Sequence, residues 1–307
     1  MEKPFNILCN TSSYIHGEYP SSINLIKNPY RRKLTGEELV RLIREYDPVG
    51  IIAGIEPITE EIINMAGNLK VISRCGIDLE TINLKAAKKR GIIVTATHLA
   101  PDVPAAELTL AVILALVRQL PQLDNLVRNH KWERRVTGLL KGKMVGVVGC
   151  GILGTRVSSL LYAFDCGLIG YDPSVKMHDY CEMVSLDFLL KNSDIITLHM
   201  PLRKDNYHII GAGEISKMKD GAILVNTSRP GLIDEEALVT ALESKKLGGA
   251  ALDVYEQEPY QGPLIRFREN TILTPHVGSF AGTYRFDIEK EAMDNLLDGL
   301  KKKGIDL

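Results

Sequence analysis

Short apolar runs alternate with helical patterns along almost the whole chain, and few folds accept that order. FNILC (5–9), GIIAG (50–54), VISRC (71–75) and IIVTAT (92–97) read as strands. Between them TGEELVRLIREY (35–46), ITEEIINMA (58–66) and LKAAKKR (84–90) read as helices, the first opened by a Thr35…Glu38 capping box. A second series runs through KMVGVVG (143–149), CGLIGYD (166–172), SDIITLHM (193–200), GAILVNTS (221–228), GGAALDV (248–254) and TILTPH (271–276). Strands that alternate with helices form parallel sheets covered on both faces. The expectation is an α/β chain with two doubly wound halves. An apolar helix over 105–120, between Pro104 and Pro121, joins them, and a last helix at roughly 284–300 is free to pack back on the first half.

A chain of 307 residues suffices for two such domains. With a formal net charge of −1 it has no overall field to draw it to nucleic acid or a membrane surface. Its five cysteines include no CxxC, which argues against a disulfide framework or zinc site and for a reducing, cytoplasmic setting. The N-terminus lacks a signal-peptide apolar core, and LTLAVILALV (108–117) is too short to span a bilayer.

The strongest local signal is VGVVGCGILGTRVSSLL at 145–161. Gly149, Gly151 and Gly154 form a GxGxxG between an apolar strand and a helical run. The first glycine permits a tight turn and the second lets a pyrophosphate approach the backbone. The third lets the helix pack close to the sheet, and the helix N-terminus offers free N–H groups to the phosphates. Asp172 closes the next strand, where a carboxylate holds the adenosine ribose hydroxyls and repels a 2′-phosphate. The expected cofactor is NAD rather than NADP.

Ligands of an open parallel sheet lie beyond the carboxyl ends of its strands. Arg229, the carboxylates Asp253 and Glu258, and His276 all follow strands of the second half. Together they suit reduction of a 2-oxo acid. Arg229 grips the carboxylate and polarises the carbonyl. His276 supplies the proton, and Glu258 holds the other imidazole nitrogen and favours the protonated ring. No metal is required.

GxGxxG, then HMPL (199–202), NTSRPGLIDEEAL (226–238), ALDVYEQEP (251–259) and TPHVGS (274–279) resemble the D-2-hydroxyacid dehydrogenases in nearly the whole chain. The likeness is greatest to the D-3-phosphoglycerate dehydrogenase branch, which serves serine biosynthesis. The resemblance implies a flavodoxin-like substrate domain over 1–98 plus 284–307 and a Rossmann NAD-binding domain over 99–283. It implies Arg229, Glu258 and His276 as the catalytic trio. It implies cofactor contacts from Gly149, Gly151, Ile152, Leu153, Gly154, Asp172, His199, Pro201, Thr227, Ser228, Asp253 and Gly278. It implies substrate contacts from Arg74, Cys75, Gly76, Ile77 and Asp78 besides Arg229. It further implies a homodimer built around the 105–120 helix and the segment after it, and an anionic 2-oxo or 2-hydroxy acid as partner. The chain ends soon after its last helix, so no C-terminal regulatory domain is expected. RCGIDLETIN (74–83) departs from the family's usual RAGVGVDNID, with Asp78 in place of a glycine. The likeness makes 3-phosphoglycerate the first expectation for the substrate; the second, which Asp78 slightly favours, is hydroxypyruvate, glyoxylate or another 2-oxo acid. A non-enzymatic NAD-sensing corepressor on the same scaffold is the reading from another class.

Overall fold

The computed structural model describes residues 4–12, 14, 17–99 and 101–305. The chain divides into two compact units, Met1–Pro101 with Phe280–Leu307, and Asp102–Ser279.

The first unit holds strands β1 (Phe5–Cys9), β2 (Ile23–Lys27), β3 (Gly50–Ala53), β4 (Val71–Arg74) and β5 (Ile93–Ala96), with helices α1 (Gly36–Tyr46), α2 (Glu60–Met65) and α3 (Leu84–Lys89). All pairings are parallel and the order is β2-β1-β3-β4-β5, the flavodoxin-like arrangement. The Thr35–Glu38 capping box opens α1, and Arg32 holds the Glu38 carboxylate from outside. Strand β2 escapes the sequence reading. It is an edge strand of which only Ile23 is fully buried, so its apolar signal is weak.

The C-terminal helix completes this unit. Ile288, Ala292, Met293, Leu296 and Leu300 share a core with Ile7, Cys9, Ile52 and Val71. Two glycines allow the close approach. A Cβ on Gly50 would meet Leu296 at 3.0 Å, and one on Gly299 would meet Val71 at 2.8 Å. The helices α1, α2 and α3 cover the other face.

The second unit begins with α4 (Asp102–Val117) and α5 (Leu120–Arg128). It continues β6 (Met144–Val148), α6 (Ile152–Tyr162), β7 (Gly167–Tyr171), β8 (Glu182–Met183), α7 (Leu186–Asn192), β9 (Ile195–Leu198), α8 (Ala212–Lys217), β10 (Ala222–Asn226), α9 (Glu235–Glu243), β11 (Leu247–Leu252) and β12 (Thr271–Leu273). The helix closing the chain is α10 (Gly282–Lys302). The order β12-β11-β10-β9-β6-β7-β8 is all parallel and reverses direction between β6 and β9, as in a Rossmann fold. The crevice outside the carboxyl ends of β6 and β9 is thus the place for a ligand.

The 105–120 region departs from the single helix expected of it. A single helix ending at Pro121 is replaced by two, bent by 63°. The chain breaks at Gln119, whose φ is 51°, and Pro121 sits in the first turn of α5. Proline is tolerated there because first-turn N–H groups have no partner within the helix, and Pro104 occupies the first turn of α4 for the same reason. Helix α4 is apolar nearly all round, and its buried residues pack against α6, β11 and β12. No single described helix is long and apolar enough to cross a membrane.

Candidate active site

Strand β6 ends in the glycine turn, and each glycine meets a different constraint. Gly149 has φ 97°, and a Cβ there would lie 2.6 Å from the His199 carbonyl carbon. A Cβ on Gly154 would lie 1.9 Å from the Gly149 carbonyl oxygen. A Cβ on Gly151 would meet nothing within 4 Å. Its surroundings are open space at the N-terminus of α6, where Gly151 caps the helix without a side chain. Ile152, beside it, is 71% exposed, while Leu153 is half-buried. Free amide N–H groups facing an unfilled space fit a dinucleotide pyrophosphate. The carboxylate of Asp172, at the end of β7, accepts from Cys150 N–H at 3.0 Å, Ser174 N–H at 2.8 Å and Val175 N–H at 3.2 Å. It therefore ties the ribose end of the expected site to the glycine turn. Burial pushes the Cys150 thiol up to about 12, so it is no nucleophile at neutral pH.

The two glycine roles separate experimentally. Gly154→Ala forces backbone apart, so we expect it to lower Tm by several degrees and to abolish NADH binding. Gly151→Ala should keep Tm within about a degree of wild type while weakening NADH about tenfold or more, because its Cβ fills only the ligand's space. Calorimetric titration beside thermal melts reads both, and equal Tm losses would contradict the assignment.

His199 supports this turn from beneath. Its side chain is buried, its ring Nε2 lies 2.9 Å from Thr197 Oγ1, and Nδ1 has no partner. Burial pulls its pKa down to about 3, so the ring is neutral. The side chain faces the protein interior, and it is the backbone of His199 that borders Gly149. Pro201, two residues on, is exposed and its carbonyl accepts from Asn206 Nδ2.

Strands β10, β11 and β12 deliver the expected trio. His276 Nδ1 lies 2.9 Å from Glu258 Oε1. That oxygen also accepts from Tyr255 N–H at 3.3 Å, and the Glu258 side chain is only 12% exposed. A carboxylate accepts, so Nδ1 carries hydrogen and Nε2 is left to exchange a proton with a ligand. His276 has φ 55°, a left-handed backbone that non-glycine residues adopt rarely. Asp253 explains how it is held. Thr274 Oγ1 and Val277 N–H donate to its Oδ1 at 2.6 and 2.8 Å, and Gly278 N–H donates to Oδ2 at 2.9 Å. One buried carboxylate thus clamps the chain on both sides of His276. Burial raises the Asp253 pKa, and those three donors offset part of the rise.

Arg229 has an extended backbone, with φ −138° and ψ 133°, because Pro230 follows and starts a 3-10 turn over Pro230–Leu232. Its Nη1 donates to Ser228 O at 2.9 Å. Asn226 sets the loop. Its Nδ2 donates to Arg229 O at 2.8 Å, and its Oδ1 accepts from Ser228 N–H and Ser228 Oγ, both at 3.1 Å. The sequence reading did not single out Asn226. A polar residue closing a strand, followed by a serine two positions on, is the Asx-turn signal that would have found it. Thr227 and Ser228 are buried, and Thr227 Oγ1 contacts Thr109 Oγ1 at 2.7 Å.

In the first unit, the loop expected to meet substrate follows β4. Arg74 is buried, and its Nη1 donates to Cys75 O at 2.5 Å and Ala53 O at 3.3 Å. Asp78 Oδ1 lies 3.7 Å from Nη2. A Cβ on Gly76 would meet the guanidinium at 2.8 Å. Arg74 therefore lies under its own loop and braces it, and Asp78 offsets its charge. Burial works against that charge and lowers the Arg74 pKa. Cys75 is buried and Ile77 is 48% exposed. Among the described residues no cluster of three metal-ligating side chains occurs.

A family model for the NAD-binding domain of the D-isomer specific 2-hydroxyacid dehydrogenases matches residues 110–278. A D-3-phosphoglycerate dehydrogenase of Synechocystis is 36% identical over 274 residues, covering 87% of this chain and 49% of that protein. A hydroxypyruvate reductase of Thermotoga maritima is 39% identical over 252 residues, covering 80% of this chain and 82% of its own length. The crystal structure of a glyoxylate reductase from Paecilomyes thermophila superimposes with a TM-score of 0.78 at 28% identity, covering 99% of this chain and 97% of that one. The chain spans about half the length of the phosphoglycerate dehydrogenases it matches. The glycine turn and the loops bearing Arg229, Glu258 and His276 all fall within the matched residues, and the chain belongs to the D-2-hydroxyacid dehydrogenase family, with that family's NAD-binding domain.

Proposed function

We propose that the protein interconverts a 2-oxo acid and its D-2-hydroxy acid with NAD as cofactor. The observation that carries this reading is the 2.9 Å contact between His276 Nδ1 and Glu258 Oε1, which engages one ring nitrogen and leaves Nε2 for proton exchange. NADH, when bound, supplies the hydride. Arg229 grips the substrate carboxylate and polarises the keto oxygen. His276 gives that oxygen its proton from Nε2, and Glu258 keeps the ring oriented and balances its charge. Asp172 selects NAD by holding both ribose hydroxyls. We expect Asp172→Ala to weaken NADH about tenfold, the scale of a lost hydrogen bond to a charged group, and to narrow the gap to NADPH. An unchanged cofactor preference in competitive titrations would remove Asp172 from this role.

The relatives named D-3-phosphoglycerate dehydrogenase support 3-phosphoglycerate as the substrate. One observation favours a second reading. The buried Arg74 is offset by Asp78 at 3.7 Å, so this loop offers a phosphate little net charge. That suits a 2-oxo acid with an uncharged tail, such as hydroxypyruvate or glyoxylate. The test compares kcat/KM for 3-phosphohydroxypyruvate, hydroxypyruvate and glyoxylate, in wild type and in Asp78→Gly. On the second reading the uncharged tails lead, and Asp78→Gly raises only the phosphorylated compound. A phosphorylated compound that leads in the wild type returns the assignment to 3-phosphoglycerate.

A second copy of the chain is the proposed partner. Leu120, Val127, Trp132, Val136 and Leu139 follow α4 and are exposed by 51%, 56%, 85%, 101% and 66%. Such a run of exposed apolar side chains suits an interface. Trp132 is the chain's single tryptophan, so its emission reports this segment alone. A dimer's mass in solution with blue-shifted emission is expected. A monomer at micromolar concentration with fully solvated emission would contradict it.

A further inference from the structure

Thr109 is the one hydroxyl residue in the apolar run LTLAVILALV at 108–117. It is fully buried. Its Oγ1 lies 2.7 Å from Ala105 O and 2.7 Å from Thr227 Oγ1. A carbonyl oxygen only accepts, so the Thr109 proton goes to Ala105. Thr109 oxygen must then accept the Thr227 proton. The Thr227 hydroxyl has no donor left and keeps only lone pairs for anything beyond the helix.

Thr227 stands two residues before Arg229, in the loop that Asn226 fixes. Ala105, one turn before Thr109, reaches the other loop, for a Cβ on Gly278 would lie 3.8 Å from Ala105 Cβ. Helix α4 thus braces the two loops that present Arg229 and His276. The end of the cofactor that donates hydride must lie against those two residues, because they handle the carbonyl being reduced. That end carries a carboxamide, with an NH2 donor on one side and a carbonyl oxygen on the other. We propose that Thr109 is a positioning residue that holds Thr227 as a pure acceptor for the carboxamide NH2 of the nicotinamide. An acceptor-only hydroxyl takes the NH2 and rejects the carbonyl oxygen, so it fixes which way the carboxamide is turned. This rests on the dehydrogenase reading.

Calorimetric titration with NADH and with ADP-ribose tests it, since ADP-ribose lacks the nicotinamide. Thr109→Val should weaken NADH about fivefold to tenfold and leave ADP-ribose within about twofold of wild type. Thr109→Ser should restore NADH affinity. Thr109→Val with Thr227→Val should bind NADH as Thr227→Val alone does, because the two act as one unit. Should Thr109→Val not fold, Thr227→Val against Thr227→Ser carries the same contrast. NADH affinity unchanged in Thr109→Val, or NADH and ADP-ribose weakened alike, would overturn the proposal. If the wild type binds ADP-ribose and NADH equally well, Thr227 has no nicotinamide contact and the proposal falls while the family assignment stands. If it binds neither, the dehydrogenase reading falls first and takes this one with it.

Discussion

Replacing His276 by alanine is expected to lower kcat by about 10²- to 10⁴-fold, the usual range for a positioned general acid, with NADH affinity within about twofold of wild type. The asymmetry follows from the local structure. The loop that carries His276 is held by its backbone, through Val277 N–H and Gly278 N–H on Asp253, and by the Thr274 hydroxyl. Removing the imidazole leaves those bonds in place, so the cofactor surface survives while the proton donor is lost. Alanine must keep the left-handed φ of 55°, which costs of order 1 kcal/mol and lowers stability slightly without moving the loop. Single-turnover kinetics with a titration of NADH would separate the two effects. Residual turnover within a factor of about three of wild type would mean another group supplies the proton.

Arg229→Lys is expected to lower kcat/KM by about 10²-fold with net charge unchanged. A guanidinium offers a planar fork to a carboxylate and a further N–H to the keto oxygen, and an ammonium is a point charge on a flexible stem. Arg229 also uses one nitrogen to donate to Ser228 O, which fixes the side chain's direction. Lysine has no matching second direction to keep. The backbone should be unaffected, because Asn226 and Pro230 set it. Steady-state kinetics with melting curves read the outcome, and near-normal kcat/KM would remove Arg229 from the site.

The parts legible in the sequence are those where local pattern and position coincide. The glycine turn was readable because an apolar strand precedes it, a helix follows it and an aspartate closes the next strand. The position of Arg229, Glu258 and His276 after β10, β11 and β12 was readable because in parallel sheets all such strand ends share one edge. Other features depend on where a side chain points, which strand periodicity does not encode once the strand has ended. Arg74 closes β4, just before the loop expected to meet substrate, yet it lies buried under that loop. His199 follows β9, yet its ring faces inward. Asn226 and Thr109 make hydrogen bonds to partners distant or unmarked in sequence, Thr109 to Thr227, 118 residues along the chain. Pro121 was misleading because proline ends one helix and starts another with equal ease, and the left-handed Gln119 decided between them.

The proposed function rests on unit Asp102–Ser279, which would hold NADH beside Arg229 and the His276–Glu258 pair. Its most direct test is to incubate the purified protein with NADH and a mixture of hydroxypyruvate, glyoxylate, pyruvate and 3-phosphohydroxypyruvate, then identify the product and its configuration. The expected result is NADH consumption matched by a D-2-hydroxy acid, or by glycolate when glyoxylate reacts. Tight NADH binding with no hydroxy acid formed, or formation of the L-isomer, would contradict it.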